Sequence, residues 1–182
     1  AGNQTPIIIQ SISPPTRSIL PLTDQQIEEA SMAFTRLDQG VAIQIGNIEA
    51  RLPSGMLLQP WQRFALTLLV ESIDDRPIYF ASSGNAAASL GVQSYLVRQG
   101  LAFRLSNGPP ADNPRFTALT GSPYVPVTGE FVDRARTALL ADQVFIHRGD
   151  IPQWDHWPDI ATIGIPNYYS WVYLSLLEVA IK

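Results

Sequence analysis

The chain has 182 residues, enough for one domain or one domain with part of another, and enough to bury a substantial core. A net charge of −4 with 15% charged residues gives no electrostatic grip on a phosphate backbone or an anionic lipid surface, so nucleic acid is not an expected partner. Eleven of the twelve cations are Arg, the one Lys is Lys182, and there is no cysteine; this removes a catalytic thiolate, thiolate-held zinc, disulfides and, short of the final residue, any Schiff-base or P-loop lysine.

Residues 1–22 hold a β-rich triplet, Ile7 to Ile9, followed by Pro14, Pro15 and Pro21, a pattern that predicts a short strand and an extended connection. The run from Leu22 to Ile27 predicts a helix start, with Thr23 and Gln26 as a capping box and Leu22 stapled onto Ile27. That helix is expected to reach Leu37 and to bury Ile27, Ala30, Phe34 and Leu37. Val41 to Leu52 alternates as strand and predicts a hairpin with a tight turn at Gly46-Asn47. Pro60 at a first helical position opens a second helix over 61–73, apolar almost all round between Phe64 and Val70 and expected to lie against a sheet.

Arg76 to Ala81 reads as a buried strand, Ser82 to Ala88 as a small-residue loop, Ser89 to Gln99 as a helix stopped by Gly100, and Leu101 to Leu105 as another strand. Two strands separated by one helix imply a right-handed βαβ crossover. The expected fold class is therefore α/β, a small mostly parallel sheet with strands near 41–52, 76–81 and 101–105, flanked by helices and followed by a helical C-terminal part. Residues 106–128 carry Pro109, Pro110, Pro114, Pro123 and Pro126 and predict an irregular excursion. Thr128 is expected to cap a helix from Glu130 to Val144, and a last helix runs from Pro166 to Lys182 with a thin polar stripe at Asn167, Ser170, Ser175, Glu178 and Lys182. The domain division that results is an α/β domain over 1–128 and a helical segment over 129–182 packed upon it. The longest apolar runs, Phe64 to Val70 and Val172 to Ile181, are too short or too interrupted to span a bilayer, and a chain that starts at Ala1 reads as an excised or processed fragment.

The loop containing Ser82, Ser83 and Asn85 sits between a strand end and a helix start, where backbone N–H groups can hold an anion, but it carries neither GxGxxG nor GxxxxGK. Around the central unit stand Arg76, Tyr79, Tyr95, Arg98 and Arg104, whose guanidinium groups suit a carboxylate or phosphate and equally suit carbonyls of the fold itself. His147, Asp150, Asp155, His156 and Asp159 fall within thirteen residues, yet match neither HExxH nor an EF-hand; a packed polar loop is the preferred reading, and no metal or cofactor is assigned. A Ser82 or Ser83 hydrolase with His147 or His156 lacks the GxSxG elbow. Trp154 and Trp157, with the C-terminal tyrosines, could stack on sugars, although aromatic residues at helical spacing more often fill a core.

The block DDRPIYFASSG…SLGVQSYLVRQGLAFRL resembles a segment of a bacterial family of polytopic membrane proteins that is similar to eukaryotic protein O-mannosyltransferases, glycosyltransferases of the membrane-embedded GT-C type. The pieces that carry the resemblance are Arg76 to Ala81, Leu90-Gly91 through Tyr95-Leu96, and Gln99-Gly100-Leu101 to Arg104-Leu105. LPLTDQQIEEA upstream and ALLADQVFIHRG and IPNYYSWVYLSLLEVA downstream extend it over most of the chain. The resemblance implies a soluble domain on the extracytoplasmic face, following membrane helices in cis, with the last helix opening a tetratricopeptide-like array. The family's acidic catalytic residues lie in loops between early membrane helices, so no catalytic residue is assigned here. The implied role is accessory: binding an acceptor protein or glycan, or docking on the membrane portion. Two rivals from other classes are a free-standing small hydrolase or metal-dependent enzyme built on the serines or the histidine cluster, and a structural assembly domain.

Overall fold

A computed structural model describes residues 23–31, 34–81, 85–122, 125–145, 155 and 164–181. Helix α1 (Asp24–Ser31) opens on the expected capping box: the Thr23 amide donates to Gln26 Oε1 at 2.8 Å and the Gln26 amide to Thr23 Oγ1 at 3.2 Å. The helix ends at Ser31 rather than Leu37, and Phe34 is 67% exposed, so the anticipated inward row is cut short. Strands β1 (Thr35–Arg36) and β4 (Leu57–Leu58) pair antiparallel, and between them β2 (Val41–Ile45) and β3 (Ile48–Leu52) form the hairpin expected from the alternation. Its turn places Gly46 at φ +56°, a conformation that favours glycine. Helix α2 (Pro60–Ser72) has Pro60 in its first turn, and the Gln59 amide donates to Gln62 Oε1 at 2.8 Å.

The sheet itself overturns the expected parallel βαβ centre. Strands β5 (Tyr79–Phe80), β6 (Leu96–Gln99), β7 (Ala102–Leu105), β8 (Phe116–Ser122) and β9 (Val125–Asp133) assemble in the order β5-β7-β6-β9-β8. Of the four strand pairings only β6 with β9 is parallel, and the 41–52 hairpin forms a separate two-stranded sheet. The error lies in residues 89–99. Helix α3 (Asn85–Ser89) is short, Gly91 at φ +71° stops it, a single 3-10 turn covers Gln93–Tyr95, and Leu96–Gln99 is strand. Gly100, expected to close a helix, instead sits at φ +66° in the turn between β6 and β7, where Gln99 faces Ala102. A left-handed residue in so short a loop is what a right-twisted hairpin requires, so the glycine signal was real and its partner element was misread.

Residues 106–128 likewise supply regular structure that their prolines hid: Pro110–Asp112 is a 3-10 turn, and β8 and the start of β9 follow. Helix α4 (Arg134–Gln143) begins after β9, capped by Asp133 rather than Thr128: the Arg136 amide donates to Asp133 Oδ1 at 3.1 Å. Helix α5 (Gly164–Ile181) matches the last predicted helix, but its polar stripe is not on the solvent face throughout. Ser175 and Glu178 are buried, while Tyr173, Leu177 and Ile181, four residues apart, are exposed.

The main core joins Ile45, Ile48, Ala50 and Leu52 of the hairpin, Leu66, Leu69 and Ile73 of the α2 region, Leu90 and Val92, and Leu96, Phe103 and Leu105 of the sheet. Cross-strand register puts Phe80, Phe103, Arg98 and Val132 on one sheet face and Tyr79, Arg104, Val97 and Phe131 on the other. The alternation of β3 follows from this core: Ile48, Ala50 and Leu52 point inward, which directs Glu49 and Arg51 outward.

Candidate functional site

Glu49 and Arg51 form one wall of an open cleft of about 390 Å³, whose other wall is Gly91, Ser94 and Tyr95. The volume falls within the range of ordinary small-ligand sites, roughly 300–1,000 Å³. Two residues apart on a strand, the carboxylate and the guanidinium share a face and form an ion pair. The opposite wall approaches closely because position 91 has no side chain. A Cβ added at Gly91 would lie 2.7 Å from the Arg51 carbonyl oxygen and 2.8 Å from its amide nitrogen. Glycine is therefore required twice there, by φ +71° and by the backbone beneath it. Tyr95 is half-buried against the core, and its hydroxyl accepts from the Glu49 amide at 3.5 Å, a long bond that marks contact more than strength.

The hydrogen bond and charge of Glu49 push the Arg51 guanidinium above its already high ordinary pKa, so it stays charged under all ordinary conditions. The cleft thus presents carboxylate acceptors, guanidinium donors and the Ser94 and Tyr95 hydroxyls on one rim, with the two full charges cancelling. Both histidines of the chain, His147 and His156, lie outside the described residues. Such a rim can hold a neutral, hydroxyl-bearing group from several sides.

A second polar system runs through the large sheet. The Tyr79 hydroxyl donates to Gln99 Oε1 at 2.8 Å, and Gln99 Nε2 donates to Asp133 Oδ2 at 3.0 Å. Asp133, 1% exposed, accepts also from Arg115 Nη2 at 3.4 Å while capping α4. On the other face Arg98 is buried with Nη2 3.1 Å from Glu130 Oε2, and its guanidinium carbon lies 4.4 Å from the centre of the Phe103 ring. Arg98 Nε is buried without a hydrogen-bond partner. The ion pair and the ring face offset a desolvation cost that would otherwise reach about 1–3 kcal/mol for the orphaned donor. Each of these groups ties one strand or helix to another, so this system is scaffold.

The residues singled out from sequence scatter accordingly. Among the described residues of the set, Tyr95 alone lines the cleft. Tyr79 and Arg98 belong to the scaffold just described, and Arg104 stands opposite Tyr79 and Val97 on β7. Arg76 bonds its neighbour Asp75, with Nη2 to Oδ2 at 2.9 Å, on the loop after α2. Asn85 opens α3. Ser82, Ser83, His147, Trp154, His156 and Trp157 lie outside the described residues, as does all of the 147–159 cluster but Asp155.

Glu49, Arg51 and Ser94 escaped the sequence reading. The signal for the first two was present in the period-two alternation of IEARL, which fixes both on the face away from the core. The role of Gly91 was not available locally, since it depends on a strand forty residues earlier. Among the described residues no cluster of three or more His, Cys, Asp or Glu could hold a metal ion, and no helix is long and apolar enough to cross a membrane. Comparison with protein-family models, with curated proteins and with solved structures finds no match to this chain.

Proposed function

We propose that this chain is a non-catalytic binding domain that takes a glycan segment in the Glu49–Arg51–Ser94–Tyr95 cleft, as the extracytoplasmic accessory domain of a glycosyltransferase-like membrane protein. The cleft carries the binding part of this reading. It combines an internally neutralised carboxylate–guanidinium pair with two hydroxyl-bearing side chains, one of them aromatic, around a volume of about 390 Å³. Sugars present vicinal hydroxyls that donate to a carboxylate and accept from a guanidinium at once, and the face of an aromatic ring can cover their C–H groups. A ligand of high net charge gains less here, because Glu49 already offsets Arg51. The accessory role and the membrane setting come from the resemblance of the Arg76–Leu105 block.

The test is a titration of the isotope-labelled chain with neutral mannose-containing oligosaccharides, followed by amide shift perturbation. Shifts should concentrate at Glu49, Arg51, Ser94 and Tyr95 and disappear in Arg51→Ala. Perturbations confined to the Tyr79–Asp133 side of the sheet, or none at any concentration reached, contradict the cleft as the binding site.

A further inference from the structure

The sequence contains one Asn-Gly pair, Asn107-Gly108, in the exposed loop that follows β7. The Asn107 side chain joins separate parts of the molecule. The Asn47 amide donates to Asn107 Oδ1 at 2.8 Å, and Asn107 Nδ2 donates to Asp74 Oδ1 at 2.7 Å. One carboxamide thus pins the β2–β3 turn to the loop after α2. The fit is close, since a Cβ added at Gly46 would stand 2.5 Å from Asn107 Oδ1. Gly108, at φ +143°, has open space where a side chain would be.

We propose that Asn107-Gly108 is a spontaneous covalent modification site that the Asp74–Asn107–Asn47 staple holds in check, and whose reaction unlocks the β2–β3 turn. The Gly108 backbone nitrogen attacks Asn107 Cγ. The new N–Cγ bond forms as the Cγ–Nδ2 bond breaks, Nδ2 leaves as ammonia with the proton from the Gly108 amide, and a succinimide remains. Water then adds across one of the two ring C–N bonds to give aspartate or isoaspartate at 107. Glycine favours the attack because no Cβ obstructs the approach of its nitrogen, and asparagine is among the residues that limit protein lifetime on heating.

The staple opposes the first step by fixing the carboxamide through both its oxygen and its nitrogen. Once the first step has occurred the donor to Asp74 is gone, and after water opens the ring two carboxylates share the place where a 2.7 Å hydrogen bond had been. The same strand carries Glu49 and Arg51, so an unlocked turn would also disturb the cleft; that last consequence rests on the binding reading, whereas the chemistry does not.

The experiment incubates the intact chain in mildly alkaline buffer and follows the Leu105–Arg115 tryptic peptide by mass spectrometry. That peptide contains its own control, because Asn113 precedes Pro114, whose nitrogen has no hydrogen to lose. Asn107 should convert while Asn113 does not, and conversion should be several-fold faster in Asp74→Ala. Absence of conversion at Asn107 in both wild type and Asp74→Ala, over a time in which the free peptide of the same sequence converts, would overturn the site. Equal rates in wild type and Asp74→Ala would overturn the restraint. Amide exchange at Asn47 and Ile48 should accelerate several-fold in Asn107→Asp, and unchanged exchange there would overturn the unlocking; glycan binding is not a readout of any of these arms.

Discussion

Gly91 is the residue on which the cleft geometry turns. Its positive φ costs a side-chain-bearing residue about 1–2 kcal/mol, and the overlap with the Arg51 backbone adds to that, because backbone cannot swing aside as a flexible side chain can. Gly91→Ala is therefore expected to lower stability by at least about 2 kcal/mol, a fall in melting temperature of roughly 4–8 °C for a chain of this size, measured by calorimetry. Asp133 is the second such residue. Asp133→Ala removes a helix cap, about 1 kcal/mol, and strands the Gln99 amide in a buried site for about 1–3 more, giving roughly 2–4 kcal/mol in chemical denaturation. Asp133→Asn keeps an acceptor for the Arg136 amide and should cost clearly less; equal losses in the two variants would show that the cap is not what the side chain contributes. Tyr95→Phe should leave stability within about 0.5–1.5 kcal/mol of wild type, the worth of one hydrogen bond, since the ring and not the long 3.5 Å bond is what packs.

Helix α5 shows how an element can be legible while its orientation is not. Its bounds follow from a mostly apolar and aromatic run that opens at Pro166 after a proline-rich approach, and the structure agrees to within two residues at its start. The polar positions looked like a solvent stripe, yet Glu178 is 4% exposed and accepts from the Thr120 and Gly121 amides at 2.8 and 3.1 Å. Those amides sit at a register irregularity of β8, between Ala118 and Ser122, where the ladder with β9 is interrupted. A bulge leaves strand N–H groups without a ladder partner, and the inward glutamate supplies one. Nothing within α5 could reveal that need. Glu178→Ala should destabilise by about 3 kcal/mol and raise amide exchange at Thr120 and Gly121 selectively; a loss spread evenly over the chain would argue that the glutamate acts through helix packing instead.

The same reasoning explains why the first strand of the β6–β7 hairpin reads as the end of a helix, while its second strand reads as strand. Leu96-Val97-Arg98-Gln99 has no strict alternation, because β6 is the central strand and is buried along its whole length, so the period that separates strand from helix is absent. What remained legible was part of the punctuation: Gly46 marks a true turn, Gly100 takes the left-handed conformation expected of it although it closes a hairpin rather than a helix, and the Thr23–Gln26 box marks a true helix start, whereas Gly91 was expected inside a helix. What remained hidden was pairing, since β5, β7, β6, β9 and β8 interleave segments from 79 to 133 and local pattern does not encode which strand lies beside which.

At the scale of the whole molecule, two layers of organisation divide the work. The Tyr79–Gln99–Asp133 line and the Arg98–Glu130–Phe103 group tie the strands of the large sheet together and, through Asp133, to α4, and the β2–β3 hairpin with the segment after α3 shapes the cleft. The residues of the cleft were only partly legible beforehand because they come together from segments forty residues apart.

The most direct measurement is a paired one on a single preparation: binding of a neutral mannose-containing oligosaccharide by titration calorimetry, and release or transfer of sugar from the same oligosaccharide by product analysis. The account predicts saturable binding that Arg51→Ala abolishes while the fold is retained, with no product formed. Turnover of the oligosaccharide, or binding that survives Arg51→Ala undiminished, would contradict it.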